Sequence, residues 1–190
     1  MTTREHFIDA GLKLMQQRGY EATGLQQILT EADLPKGSFY HHFANKEEFG
    51  KEVIARYAAQ ESARCVRALF ESKGTPIARL RRYFKELSAV FGPGGVINGC
   101  LVGRFSLDGA TQSESLRSHL VLAFSGWQKA IQQVLQEAKG TGELTTELAP
   151  SSLALFLVNA WEGALLRTQT DQTDAALKNF QQIVFERLLT

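Results

Sequence analysis

No run of apolar residues in this sequence approaches the roughly 20 needed to cross a bilayer as a helix. The opening Met1-Thr2-Thr3-Arg4-Glu5-His6 has no hydrophobic core of a secretory signal. A cytoplasmic chain with no membrane partner is therefore expected. Only two cysteines, Cys65 and Cys100, are present, too few for a disulfide framework, and in that compartment they are expected as free thiols. No H-E-x-x-H or paired Cys-x-x-Cys occurs, so neither a metal site nor a cofactor is expected. Charge of one sign is missing too: 21 basic residues meet 20 acidic ones, a net +1 that neither selects nor excludes nucleic acid. Information must come from local charge. There is no sustained alternation of apolar and polar residues, no internal repeat and no low-complexity tract.

What is present is an ordinary globular composition, 44% hydrophobic and 22% charged over 190 residues, enough for a substantial buried core. Apolar residues recur every three or four positions almost throughout, which predicts an all-α chain of about nine helices. The first spans roughly Glu5 to Arg18, opened by a Thr2/Glu5 capping box and stopped by Gly19. A short second helix carries Leu25, Ile28, Leu29 and Ala32. Leu34-Pro35 interrupts and starts a third of about two turns, Lys36 to His42. Asn45-Lys46-Glu47-Glu48 caps a long fourth helix with no breaker before Gly74. A fifth starts at Thr75-Pro76 and ends in the Gly92-Pro93-Gly94-Gly95 loop. A sixth is expected from about Asn98 to Leu107, a seventh over Ser113 to Lys139, an eighth from Pro150 to about Thr168, and a ninth from Thr173 or Asp174. The change from short to long helices divides the chain into residues 1–50 and 51–190, with the fourth helix, from about 46, as connector.

Two short helices joined by a tight turn, packed on a first helix, form a helix-turn-helix arrangement whose last helix enters the DNA major groove. Leu34 to Lys46 has no acidic residue, as a surface facing phosphates requires. Gly37 permits close backbone approach, Ser38, Tyr40 and His41 supply donors, and Lys36 and Lys46 supply charge. Phe39 and Phe43, four apart, are expected to face inward. A solvated amphipathic surface segment is the alternative on chemistry alone.

The run Gly19-Tyr20, Thr23-Gly24-Leu25, Ile28, Ala32, Pro35-Lys36-Gly37-Ser38-Phe39-Tyr40-His41-His42-Phe43, Lys46-Glu47 resembles the DNA-binding domain of TetR-type transcriptional regulators over roughly residues 3–50. The resemblance implies a homodimer, most simply a repressor, that binds double-stranded palindromic operator DNA. It also implies a larger C-terminal domain that dimerises and binds a small molecule that releases the DNA. On matching positions, Thr23, Gly24, Lys36, Tyr40, His41 and Lys46 would contact the DNA backbone. Gly37 and Ser38 would lie nearest the bases, with Gln26 or Gln27 as weaker candidates.

In the C-terminal part, Leu153, Phe156, Leu157, Ala160 and Ala164, then Leu177, Phe180, Val184 and Leu188, form wide apolar faces on the last two helices. An ordinary core face is one interpretation; the resemblance favours a four-helix dimer seam. Cys100, in Asn98-Gly99-Cys100-Leu101-Val102-Gly103-Arg104, is expected in the first turn of the sixth helix, where the helix dipole and Arg104 favour thiolate. A buried inert thiol is the alternative. The Gly-Cys-Leu segment also resembles the TetR branch that responds to electrophiles, which implies an effector-sensing role for Cys100 with Arg104 as modulator. Cys65 is expected to be structural. Tyr83, Phe84, Phe91, Phe105, Phe124, Trp127 and Trp161 could line a cavity or form core, and His119 is expected to make a satisfied polar contact. A helical enzyme with Cys100 as nucleophile and a DNA-binding protein without an effector are the competing functions; with no catalytic set visible, the regulator is expected.

Overall fold

The computed structural model describes residues 2–93 and 99–190. Among them are nine α-helices and no strand: α1 Thr3–Arg18, α2 Leu25–Ala32, α3 Lys36–His42, α4 Lys46–Cys65, α5 Pro76–Phe91, α6 Leu101–Asp108, α7 Glu114–Gly140, α8 Pro150–Asp171 and α9 Ala175–Ile183. The boundaries follow from local chemistry. Thr2 Oγ1 accepts from the Glu5 amide while the Glu5 carboxylate accepts from the Thr2 amide, closing the capping box of α1. Gly19, at φ 88°, ends that helix in a conformation costly for any other residue. Asn45 Oδ1 accepts from the Glu48 amide at 2.8 Å at the start of α4. Thr75 caps α5, with Pro76 in its first turn. The ends of α4 and α9 widen into π-helical turns, Val66–Phe70 and Val184–Leu188.

The helices form two compact units. The first comprises Met1–Gln60 with Cys100–Ala123, the second Glu61–Gly99 with Phe124–Thr190. Both α4 and α7 therefore run across the division. The first unit takes in α6 and the start of α7, more chain than the 1–50 expected.

In the first unit, α1, α3 and α4 meet on an aromatic cluster. Phe7 stands edge-on to Phe39 at 5.5 Å, and Phe43 to Phe49 at 4.9 Å; all four are buried. Gly11 lets α1 approach α4, since an added Cβ would lie 2.3 Å from Phe49 Cζ. Arg4–Glu52 and Asp9–Arg56 ion pairs link the same helices. In the second unit, α5, α8 and α9 enclose Phe84, Trp161 and Phe180, with Phe84 and Phe180 ring centroids 5.0 Å apart.

This packing divides the residues expected at the dimer seam. Leu153, Leu157, Leu177, Phe180 and Val184 are buried inside the unit, because their faces cover the α5 aromatic layer. Phe156, Ala160, Ala164 and Leu188 are accessible to varying degrees. The outer side of α8 instead exposes Leu155, Phe156, Gly163 and Leu166, and α9 exposes Ile183.

Candidate nucleic-acid interface

The turn between α1 and α2 sets where α2 begins. Thr23, expected at the phosphates, is fully buried, and its hydroxyl donates to the Gly19 carbonyl at 2.7 Å. It closes the turn and offers no donor to a ligand. Gly24 is exposed, and its amide donates to Gln27 Oε1 at 2.9 Å. Gln27 is thus occupied in part by capping α2, whereas the exposed Gln26 makes no such cap. Ile28 and Leu29 are buried on the opposite face.

Between the helices, Asp33 adopts the left-handed conformation at φ 53°, and Pro35 stands extended ahead of α3. Phe39 and Phe43 anchor α3 in the aromatic cluster as expected. The other side of the helix faces outward: Lys36, Gly37 and His41 are exposed, Ser38 is half-buried, and Tyr40 is 54% exposed. A Cβ on Gly37 would meet nothing within 4 Å, so the protein's own packing does not require glycine there. The acid-free segment therefore presents cation, donors and bare backbone on one surface. Lys46 lies elsewhere: its ammonium sits 4.5 Å above the Tyr20 ring and donates to the Glu21 carbonyl at 3.4 Å.

The two thiols have different surroundings. Cys65 is buried, with its sulfur 3.0 Å from the Tyr83 hydroxyl, and burial pushes the thiol up to about 11. Tyr83 is likewise raised well above the usual phenol range by burial, with Cys65 adding to the shift. Cys100 is half-buried. It is the residue preceding α6 and not within its first turn, because the helix begins at Leu101; Asn98, its expected start, lies outside the described residues. Gly99, at φ 89°, precedes it, and a Cβ there would fall 1.9 Å from Gln169 Nε2. The Tyr57 hydroxyl donates to Cys100 Sγ at 3.5 Å. That partner, 43 residues away on α4, carries no sequence signal. The Arg104 guanidinium reaches the Gln17 carbonyl at 3.3 Å. His119 Nδ1 donates to the Ser115 carbonyl at 2.9 Å, the satisfied contact expected of it. Among the described residues, no cluster of three or more His, Cys, Asp or Glu could hold a metal, and no helix is long and apolar enough to cross a membrane.

Comparison with known proteins places these features in context. Residues 7–53 match the family described as bacterial regulatory proteins, tetR family, and residues 76–184 match the tetracyclin repressor-like C-terminal domain. The chain is 34% identical to the HTH-type transcriptional repressor DhaR of Mycobacterium sp. strain GP1, over 98% of this chain and 92% of that protein. It is 32% identical to the HTH-type transcriptional repressor NemR of Escherichia coli K12, over 93% of this chain and 89% of the other. The crystal structure of E. coli NemR in its reduced form superposes with a TM-score of 0.91, covering 97% of this chain and 95% of that one at 32% identity. A TetR regulatory protein from Rhodobacter sphaeroides superposes at 0.87, covering 98% of both chains with 32% identity.

Proposed function

Since the chain belongs to the tetR family of bacterial regulatory proteins, whose members bind operator DNA as dimers and respond to small molecules, we propose that its α3 surface reads the operator and that Cys100 senses the effector. Membership makes it a transcriptional regulator and sets aside the cysteine-dependent enzyme. The observation that carries the DNA half is the outward face of α3. Lys36, Tyr40 and His41 would hold the DNA backbone, and Gly37 and Ser38 would approach base edges, while Phe39 and Phe43 fix the helix from behind. Gly24 and Gln26 extend the surface from α2. Lys46 supports it indirectly, by holding the α1–α2 turn. Such binding belongs in the compartment that holds DNA.

The Cys100 half rests on the partial exposure of that residue and on Tyr57, which joins it to α4, the helix leading out of the DNA-binding unit. The crystal structure of NemR, a similar repressor, is of its reduced form, which fits a regulator that has more than one redox state. An electrophile that adds to Cys100 Sγ, with loss of the thiol proton, would disturb the Tyr57 contact. The resulting movement would shift two recognition helices that must lie about one DNA turn, ~34 Å, apart.

The test is binding to duplexes from the DNA flanking the coding region, with and without N-ethylmaleimide, for wild type and Cys100→Ser. Retention of a duplex by wild type, released by the maleimide only when Cys100 is present, is the expected outcome. No retained duplex at low salt defeats the operator role of α3. Equal release of Cys100→Ser defeats the thiol and leaves a reversible ligand as the effector.

A further inference from the structure

Helix α6 lies 83 residues beyond α1 in sequence yet belongs to the DNA-binding unit, and it grips the α1–α2 turn at several points. At its C-terminal end, Asp108 Oδ2 accepts from the Glu21 amide at 3.0 Å. One turn earlier, Arg104 donates to the Gln17 carbonyl at 3.3 Å, near the end of α1. Between them the Phe105 ring packs against Tyr20 at 5.2 Å. Tyr20 is itself buried, with Lys46 on its ring and Gly50 beneath it, where an added Cβ would come within 2.8 Å. Asp108 reaches the turn only because residue 19 is glycine: a Cβ there would sit 2.9 Å from Oδ2. The other carboxylate oxygen, Oδ1, is buried without a hydrogen-bond partner among the described residues.

The gripped turn leads directly into α2, which in turn packs against α3. A turn whose amide is held by a charge-assisted bond has a fixed exit direction; one whose amide turns to water has several. We propose that Asp108 is a positioning residue for operator recognition: by holding the Glu21 amide it fixes the angle at which α2 and α3 meet DNA. Helix α6 is on this account part of the DNA-reading apparatus, although it lies far outside the helix-turn-helix in sequence.

The inference rests on operator binding by α2 and α3, and its test separates the two. The full-length dimer, wild type and with Asp108→Leu or Asp108→Asn, is titrated with a duplex that wild type selects from a randomised library and with a random-sequence duplex. Asp108→Leu should lose about tenfold or more of the ratio between the two affinities, as expected for one lost bond to a charged acceptor. Asp108→Asn, whose Oδ1 can still accept from Glu21, should recover to within about threefold of wild type. A purely structural role would lower the melting temperature of Asp108→Leu and leave the ratio intact. Failure of wild type to select any duplex defeats operator binding itself; selection by wild type with an unchanged ratio in Asp108→Leu overturns only the clamp. Should the leucine variant not fold, hydrogen exchange of the Glu21 amide in wild type decides: protection supports the clamp, and exchange at the rate of an unstructured amide overturns it.

Discussion

At the scale of single residues, Gly37 separates packing from recognition. Nothing surrounds the space a Cβ would fill, and glycine in a helix costs about 0.5–1 kcal/mol relative to alanine. Gly37→Ala is therefore expected to raise the melting temperature slightly and to weaken operator binding by roughly tenfold, through the loss of about one close contact. A combined melting and DNA-titration series checks both directions, and unchanged affinity would remove Gly37 from the interface. Cys65 supplies a pH-dependent counterpart. Its thiol, normally near 9, is pushed to about 11 by burial. The folded state therefore holds this proton more tightly than the unfolded state. The associated stability is complete below the unfolded value and is lost as pH rises from about 9 toward 11. Denaturation midpoints measured across that range should fall, and the fall should be shallower in Cys65→Ala. The same shift reduces the thiolate at Cys65 by about two orders of magnitude relative to an ordinary thiol, so brief N-ethylmaleimide treatment at neutral pH should label Cys100 ahead of Cys65.

At the scale of helices, α1 and α4 are held by an absence of bulk. A methyl group on Gly11 would penetrate the Phe49 ring, which cannot swing away because Phe39 and Phe43 pack around it. Overpacking of this kind costs about 1–3 kcal/mol and outweighs the gain of up to about 1 kcal/mol from helix propensity. Gly11→Ala should thus unfold at lower denaturant than wild type, the reverse of Gly37→Ala, although both replace a helical glycine. Calling both substitutions neutral from sequence would miss this, because the difference lies in what the other helices bring close. The same limit explains which elements were legible. The starts of α1, α3, α4 and α5 are written in adjacent residues: Thr2 with Glu5, Pro35, Asn45 with Glu48, and Thr75-Pro76. So is the outward face of α3, because Phe39 and Phe43 point the remaining residues away from the core. Long-range partners leave no such trace, and Asp108 meets Glu21 across 87 positions. Helix α8 misled for a different reason. It is apolar on both sides, with Leu153, Leu157, Trp161 and Leu165 buried and Leu155, Phe156 and Leu166 exposed, so periodicity alone could not say which side turns inward.

At the scale of the whole molecule, the exposed side of α8 bears on how a two-fold operator is read. Regulators of this family bind operator DNA as dimers, and on the function proposed above each protomer would present one α3 to one half-site. Leu155, Phe156, Gly163 and Leu166 recur along one stripe of α8, with Ile183 exposed on α9. The stripe meets the needs of an isologous seam: it is apolar, unused by the protomer's own core, and includes a small residue for close approach. Phe156→Glu tests this cleanly because the side chain is 49% exposed, so the charge stays in water if the protomer is alone and is buried only if the seam forms. The variant should keep wild-type helical content while shifting from dimer to monomer in sedimentation velocity. Its operator affinity should fall by at least about a hundredfold, since a second half-site bound by a tethered partner contributes an effective concentration that a lone protomer lacks. Leu157→Glu, one residue away, supplies the contrast: that position is fully buried, so it should lose the fold of the second unit and not merely the dimer. If Phe156→Glu sediments as a dimer, the seam lies on another face. If it is monomeric yet binds the operator as wild type does, the two protomers do not read the site together.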